Sequence, residues 1–236
     1  MSLPSMIAID GPVASGKTVV GKRLAAKLGY LFFDTGVMYR AVTCLALHEL
    51  GSAEDARAVT ALAQRVCIEV QPPTVADGRD STVLVFDPLR GAEGRDITWA
   101  IRSKEVENNV SLVAAMQAVR HILTGQMRHV GLRGRVVMVG RDVGTIILPE
   151  ADLKVFLTAS VETRARRRFQ ETQARGTGDL RTYDDILANL RERDQIDSSR
   201  QIAPLRPADD ALILDTTDLD LEGVMAAIEN LIAARH

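Results

Sequence analysis

Gly11-Pro12-Val13-Ala14-Ser15-Gly16-Lys17-Thr18 has the spacing G-x-x-x-x-G-K-T and directly follows the apolar run Met6-Ile7-Ala8-Ile9. This order predicts a buried strand, a glycine-containing turn and a helix that begins near Lys17. Backbone N–H groups of such a turn and the positive end of the helix dipole converge on one point, where they bind an anion. The sequence therefore predicts a phosphate-binding loop over residues 11–18.

Two side chains of this loop predict which phosphate compound binds. Lys17 places a positive charge at the β- and γ-phosphates of a nucleotide. The hydroxyl of Thr18 is a ligand for the Mg²⁺ that accompanies ATP. The amphipathic stretch 19–28 supplies the helix that the motif requires. We therefore expect ATP with Mg²⁺ as the ligand of residues 11–18.

Composition limits the class of protein. The 236 residues are 46% hydrophobic and 25% charged with a net charge of −2, which suits one large α/β domain carrying an insertion and argues against nucleic acid as a partner. No apolar run reaches the roughly 20 residues that span a bilayer. Cys44 and Cys67 are isolated, as expected in a reducing compartment. We expect a cytoplasmic monomer without a membrane partner.

Short β-type runs alternate with helical ones along most of the chain, which predicts a parallel sheet covered by helices on both faces. The predicted strands are residues 6–10, 30–33, 135–139, 153–158 and 211–215, and the first helices are 16–28 and 36–50. Parallel sheets bind ligands beyond the carboxyl ends of their strands. Residues 11–18, 34–36, 140–142 and 158–160 all fall at strand ends, so we expect them to border one crevice.

The texture changes between residues 65 and 100, where alternating β-type pieces are separated by turn residues. This pattern predicts a small antiparallel sheet inserted into the α/β core. A single helix is predicted from about 101 to 130. The turn Gly176-Thr177-Gly178-Asp179 lies between charged helices, as in a mobile loop. We therefore divide the chain into a core of residues 1–64 and 101–236, an insertion of 65–100, and a helical lid near 164–182.

Arginines are concentrated near the predicted crevice, whereas the N-K-x-D motif of GTPases is absent. Arg164 and Arg168 are four residues apart on one helix face, as are Arg193 and Asp197, so each pair can reach a shared ligand. The run 164–168 also fits a nucleic-acid patch, but the overall charge opposes this interpretation. Phosphate binding by planar guanidinium groups explains the pattern better.

Four blocks of sequence resemble the signature blocks of the bacterial cytidylate kinases, and they follow in that family's order over nearly the whole chain. The blocks are residues 34–40 (DTGVMYR), 140–145 (GRDVGT), 156–160 (FLTAS) and 193–205 (RDQIDSSRQIAPL). The resemblance implies an α/β, P-loop NTPase-type three-layer fold with a parallel five-stranded sheet, an antiparallel NMP-binding insertion and a helical lid. It also implies transfer of the ATP γ-phosphoryl group to CMP and dCMP.

The resemblance assigns roles by position. Phosphate contacts are implied for Arg40, Arg141 and Arg200, cytosine contacts for Ser111, Arg120 and Asp142, sugar contacts for Arg193 and Asp197, a place in the same pocket for Thr35, and lid contacts to ATP for Arg164 and Arg168. The residues expected to act on the transferred phosphoryl group are Lys17, Arg141, Arg164, Arg168 and Arg200. Val139 stands where the family commonly has an acidic residue that orients water around Mg²⁺.

Chemistry agrees with cytosine as the base. A carboxylate such as Asp142 accepts a hydrogen bond from the N4 amino group of cytosine, whereas uracil presents an oxygen acceptor at the same place. Two acceptors that face each other in a dry pocket are both unsatisfied. Two alternatives stay open at this point. One is a P-loop kinase for another small acceptor, such as UMP or shikimate, and the other is a protein that binds nucleotide as a sensor without catalysis.

Overall fold

The structure is a computed structural model that describes residues 3–175, 181–200 and 202–234. In chain order its strands and helices are β1 Met6–Asp10, α1 Lys17–Leu28, β2 Leu31–Asp34, α2 Gly36–Leu50, α3 Ala56–Arg65, β3 Cys67–Gln71, β4 Thr82–Asp87, β5 Gly91–Asp96, α4 Lys104–Ala115, α5 Gln117–Gly131, β6 Val136–Gly140, β7 Leu153–Thr158, α6 Val161–Arg175, α7 Tyr183–Ser199, β8 Leu212–Asp215 and α8 Leu221–Ala234. A 3₁₀ turn covers Ala100–Arg102 and a short π-helix covers Val143–Ile147.

A parallel five-stranded sheet has the order β2-β6-β1-β7-β8. Strand β1 pairs with β6 from Met6 opposite Val136 to Asp10 opposite Gly140, and with β7 from Ile7 opposite Leu153 to Asp10 opposite Phe156. Because these strands run in the same direction and in this register, their carboxyl ends lie at one edge. The segments after β1 and after β6 therefore start side by side.

The chain divides into two compact units, residues 1–30 with 135–236, and residues 31–134. In the first unit, the interior consists of the apolar side chains of β1, β6 and β7, and Ile7, Ile9, Val137 and Leu153 are fully or almost fully buried. Both faces of these strands are apolar, as expected for parallel strands that are covered on both sides. Strand β8 is at the sheet edge, where Ile213 is largely exposed.

The second unit contains the antiparallel sheet predicted within residues 65–100. Its order is β3-β4-β5, with Cys67 opposite Phe86 and Gln71 opposite Thr82. Gln126 joins α5 to this sheet, because its side chain accepts a hydrogen bond from the amide of Ile68 and donates one to the carbonyl of Val66. The Gln126 side chain thereby holds the helix to backbone groups at the start of the sheet.

The prediction of one helix from about 101 to 130 was wrong, because the chain breaks between α4 and α5. Met116 has extended backbone angles, φ −72° and ψ 112°, and separates the two helices. The break frees carbonyl groups at the end of α4, and the guanidinium of Arg120 donates to one of them, the carbonyl of Ala114, at 3.2 Å. A side chain of the following helix thus replaces one backbone hydrogen bond that continuous helix would provide.

The predicted α/β fold, with its parallel five-stranded sheet, antiparallel insertion and helical lid, is confirmed. Within the predicted lid near 164–182, helix α6 covers the residues up to Arg175 and α7 begins directly after the range, whereas the turn 176–179 lies outside the described residues. None of the helices in the described part of the chain is long and apolar enough to cross a membrane.

Candidate active site

Several residues of the loop between β1 and α1 have positive φ angles, which is typical of loops whose backbone amides bind an anion. Gly11, Ala14 and Gly16 have φ angles of 149°, 60° and 91°. At Gly11 an added Cβ would lie 2.0 Å from the carbonyl oxygen of Leu157 in β7, so a side chain has no room there. Lys17 bridges the loop, because its ammonium donates to the carbonyl of Pro12 at 2.6 Å. The predicted phosphate-binding loop thus has the geometry that the motif requires.

Helices α6 and α7 support this loop from one side. Val13 and Ala14 pack against an apolar cluster of Ala165, Ile186 and Leu190. This contact lies within the first unit and joins the phosphate-binding loop to both α6 and α7. A movement of α6 or α7 would therefore displace the side chains of the loop that pack against them.

Arg164 is the polar counterpart of that contact. Its side chain is 5% exposed and donates to the carbonyl of Val13 at 3.0 Å, to the carbonyl of Ala159 at 3.0 Å, and to both carboxylate oxygens of Asp194 at 3.1 and 2.5 Å. The fork-to-fork pair with Asp194 is the strong geometry for arginine and carboxylate. Arg164 therefore joins the phosphate-binding loop, α6 and α7 at a single guanidinium.

A second group of charges lies at the carboxyl end of β6. The buried carboxylate of Asp197, on α7, receives ion pairs from Arg141, which follows β6, and from Arg200, which follows α7. Asp194 and Asp197 are three residues apart, so one face of α7 holds both arginine groups. The structure thus brings together three residues for which the sequence implied contacts to the acceptor nucleotide.

The other predicted lid and sugar residues have different surroundings. Arg168 is one turn beyond Arg164 on α6, but its side chain is directed to Glu171 at 3.4 Å. Arg193 is half-buried on α7. The catalytic role of Arg164 and Arg168 and the sugar role of Arg193 stay predictions.

Asp10, the last residue of β1, is buried with 5% of its surface exposed and faces the turn after β6. Its carboxylate accepts hydrogen bonds from the amides of Val143 at 2.9 Å and Gly144 at 2.7 Å. The pKa of this carboxyl is raised to about 6, mainly by burial and also by the Asp142 carboxylate, although the two amides and the Lys17 ammonium act in the opposite direction. Asp10 thus joins the strand before the phosphate-binding loop to the segment that carries Asp142.

The raised pKa of Asp10 predicts how stability depends on pH. The folded protein holds this proton up to about pH 6, whereas the unfolded chain releases it near 3.8, so stability is lost as pH rises between these values. We expect the free energy of unfolding of wild type, relative to Asp10→Asn, to fall by about 2 kcal/mol from pH 4 to pH 7. Urea unfolding of both proteins at several pH values measures this difference, and a constant difference would contradict the raised pKa.

The remaining predicted substrate residues belong to the second unit. Arg120 is 6% exposed and its guanidinium lies 5.4 Å from the centre of the Tyr39 ring, in cation–π contact. Arg40, on α2, is directed to the carbonyl of Ile101 at 3.5 Å. Ser111 is exposed on α4, and Thr35 is buried immediately before α2. Within this unit, Tyr39 and the carbonyl of Ala114 hold Arg120 in a defined orientation.

The residues present fit a Mg²⁺ ion that arrives with a nucleotide. Thr18 lies in the first turn of α1 beside Lys17, where its hydroxyl follows the anion-binding loop. Among the described residues, no three His, Cys, Asp or Glu side chains are close enough to form a metal site by themselves. Magnesium characteristically uses one or two protein ligands together with phosphate oxygens and water, so a single hydroxyl suits it. Val139 is buried and paired with Ile9, and its apolar side chain supplies no such ligand.

Sequence reasoning missed Asp194 and Tyr39. Asp194 lies three residues before Asp197, and this spacing on one helix face was the available signal. The contact of Tyr39 with Arg120 joins residues that are far apart in the chain, and no local pattern indicates it.

A P-loop, a following helix and a parallel sheet with arginines at its carboxyl edge define the class of P-loop nucleotide-binding proteins. A cytidylate kinase family model matches residues 7–234. The chain is 48% identical to the cytidylate kinase of Herpetosiphon aurantiacus, over 98% of this chain and 96% of the relative. It is 49% identical to that of Chloroflexus aggregans, over 91% and 87% respectively.

The chain therefore belongs to the cytidylate kinase family, as the resemblance predicted. Among solved structures, an uncharacterized protein from Eubacterium ventriosum is similar in fold, with a TM-score of 0.50, 11% identity and 97% coverage of both chains.

Proposed function

We propose that this chain transfers the γ-phosphoryl group of ATP to CMP, and also to dCMP, which yields ADP and CDP or dCDP. The observation that carries the proposal is the convergence of Arg141 and Arg200 on one buried carboxylate at the carboxyl edge of the sheet. Guanidinium groups in such a position suit a phosphate dianion. Membership of the cytidylate kinase family and the relatives' names support CMP as the acceptor.

The donor side consists of residues 11–18. Backbone amides of the loop and the start of α1 hold the phosphates of ATP, and Lys17 contributes the positive charge. The ammonium of Lys17 exchanges its present acceptor, the carbonyl of Pro12, for phosphate oxygens. Thr18 is the protein ligand for Mg²⁺, which when bound neutralises charge on the phosphates and orients them. No covalent intermediate with the protein is needed.

The acceptor side consists of the residues to which the family resemblance assigns contacts with CMP. Arg141 and Arg200, together with Arg40, hold the phosphate of CMP, and Arg193 and Asp197 contact the sugar. Asp142, with Ser111 and Arg120, reads the base, because its carboxylate accepts the N4 amino group of cytosine. Thr35 completes the pocket. A uracil oxygen opposite the same carboxylate leaves two acceptors unsatisfied, which strongly disfavours UMP.

Catalysis requires little beyond positioning and neutralisation of charge, because the transferred phosphoryl group passes through a loose transition state. Lys17, Arg141 and Arg200 stabilise the charge on the phosphates, and Arg164 and Arg168 contribute from α6. The contacts of Arg164 and of the apolar cluster with Val13 connect α6 and α7 to the phosphate-binding loop. Closure of these helices excludes water, which would otherwise compete with CMP as the acceptor.

The protein is proposed to act as a cytoplasmic monomer on small nucleotides. The near-neutral charge and the isolated cysteines support this proposal.

The test is an ADP-release assay with ATP and Mg²⁺ in which CMP, dCMP, UMP, AMP and shikimate are offered separately beside a blank without acceptor. We expect turnover with CMP and dCMP that exceeds turnover with UMP by at least about 100-fold, because the base pocket penalises a mismatched hydrogen-bonding group. Equal rates with every acceptor and the blank, in a protein that still binds ATP, would favour a nucleotide sensor. Faster turnover with shikimate or UMP than with CMP would show that the chain is a P-loop kinase for another acceptor.

A further inference from the structure

The π-helix Val143–Ile147 starts immediately after the residue proposed to read the base. Its N-cap residue, Asp142, has φ −144° and ψ 23°, and its side chain makes no capping hydrogen bond. Aspartate is among the residues that most often cap a helix with their own carboxylate, because the first amides of a helix have no backbone acceptor. The carboxylate of Asp142 therefore does not cap the helix that it precedes.

The acceptor for the first amides of the π-helix comes from strand β1. Asp10 accepts the amide of Val143 with one carboxylate oxygen and the amide of Gly144 with the other. Asp10 can do this because it lies opposite Gly140 in the pairing of β1 with β6, next to the start of the turn. Both oxygens are engaged in a site that excludes water, since Asp10 is almost completely buried.

The site has little space for adjustment. An added Cβ at Gly144 would lie 3.2 and 3.3 Å from the stem of Lys154 and 3.4 Å from a carboxylate oxygen of Asp10. The backbone at Gly144 therefore lies directly between the Lys154 stem and the Asp10 carboxylate, with little room for a side chain. Lys154 cannot move away easily, because its ammonium is held by the carbonyl of Pro149 and by the carboxylate of Asp210.

We propose that Asp10 is a positioning residue for base selection, which caps the π-helix from the neighbouring strand so that the carboxylate of Asp142 is turned to the cytosine amino group instead of its own backbone. This inference rests on the proposed function, because it concerns how the base-reading carboxylate is held. It gives the strand before the phosphate-binding loop a second task, in addition to delivering the chain to Gly11.

The test is Asp10→Asn, which retains the shape of the side chain but places an NH₂ group against one of the two amides. We expect the ratio of kcat/KM for CMP to that for UMP to fall by roughly 10-fold, mainly through a higher KM for CMP, because one buried donor loses its acceptor. The KM for ATP should change less. Amide exchange of Val143 and Gly144, measured by NMR without nucleotide, should accelerate in the same variant.

Asp152→Asn is the matched control. The carboxylate of Asp152 also accepts two backbone amides, those of Ser5 and Met6 at 2.8 Å each, but at the opposite end of β1. This variant should keep the CMP-to-UMP ratio of wild type. Gly144→Ala is the second test variant, because its methyl group crowds the Lys154 stem beside the same carboxylate, and it should shift the ratio in the same direction as Asp10→Asn.

The outcomes separate this inference from the proposed function. Wild type that shows no CMP-dependent turnover overturns both. An active wild type, with a ratio unchanged in Asp10→Asn despite faster amide exchange, overturns the inference alone, since the cap would then be purely structural. If Asp10→Asn does not fold, Gly144→Ala decides, and an unchanged ratio in that variant overturns the inference.

Discussion

Lys17→Ala is expected to lower kcat for CMP phosphorylation by about 10³-fold or more, the magnitude found for other cations that neutralise a transferred phosphoryl group. Lys17 is held above the loop by the carbonyl of Pro12 at 2.6 Å and by the hydroxyl of Ser15 at 3.4 Å. Its ammonium is therefore placed for phosphate before ATP arrives. Steady-state kinetics at saturating ATP and CMP measure the loss, with circular dichroism to verify the fold.

The control is Lys27→Ala on the same helix. Lys27 is 58% exposed and pairs with Glu229 at the surface, so its loss should leave kcat within about 2-fold of wild type. A Lys17→Ala protein with more than a tenth of wild-type kcat would show that backbone amides and Mg²⁺ neutralise the phosphates without this side chain. The assignment of the loop's cation would then be wrong.

Gly11→Ala is expected to cost at least about 4 kcal/mol of folding free energy, which puts it among the most severe single substitutions. The new Cβ would lie 2.0 Å from the carbonyl oxygen of Leu157 and 3.1 Å from its carbonyl carbon, and both atoms belong to the backbone of β7. A φ angle of 149° adds backbone strain. Since neither strand can move without breaking the sheet, we expect low yield of folded protein and loss of ATP binding.

Gly29→Ala is the control that measures the cost of a positive φ angle without a steric clash. Gly29 ends α1 with a φ angle of 67°, but the nearest atom to an added Cβ is the end of the Arg135 side chain at 3.7 Å. This variant should lose only about 1 kcal/mol, the ordinary cost of a side chain in the left-handed region. Urea unfolding of the three proteins measures both losses. Equal losses at Gly11 and Gly29 would mean that the collision with Leu157 is relieved by local movement.

The start of the core was predictable because its signals are local. The glycine spacing, the apolar run before it and the amphipathic stretch after it place β1 and α1 within one residue of their observed bounds. The break at Met116 was not predictable, since neither glycine nor proline marks it. That break is stabilised by the Arg120 side chain, whose partner at Ala114 depends on how α5 turns back.

In the candidate site, too, some residues were predictable from local motifs and others depend on tertiary contacts. Arg141, Asp197 and Arg200 were found through motif positions, and the structure brings them together. Asp194 and the capping role of Asp10 depend on tertiary register, because Asp10 and Val143 are 133 residues apart. The assignments to base, sugar and phosphate stay predictions, which the kinetic experiments test.

The carboxylate shared by Arg141 and Arg200 has an electrostatic consequence beyond the site itself. Two guanidinium groups and one carboxylate present one net positive charge to the surrounding solvent, instead of two. Long-range attraction of a dianionic nucleotide is weaker for the smaller charge, and so is the effect of salt on the encounter rate. In the proposed function, the Asp197 carboxylate therefore makes capture of CMP from a distance slower, and the strong contacts of Arg141 and Arg200 act only at close range.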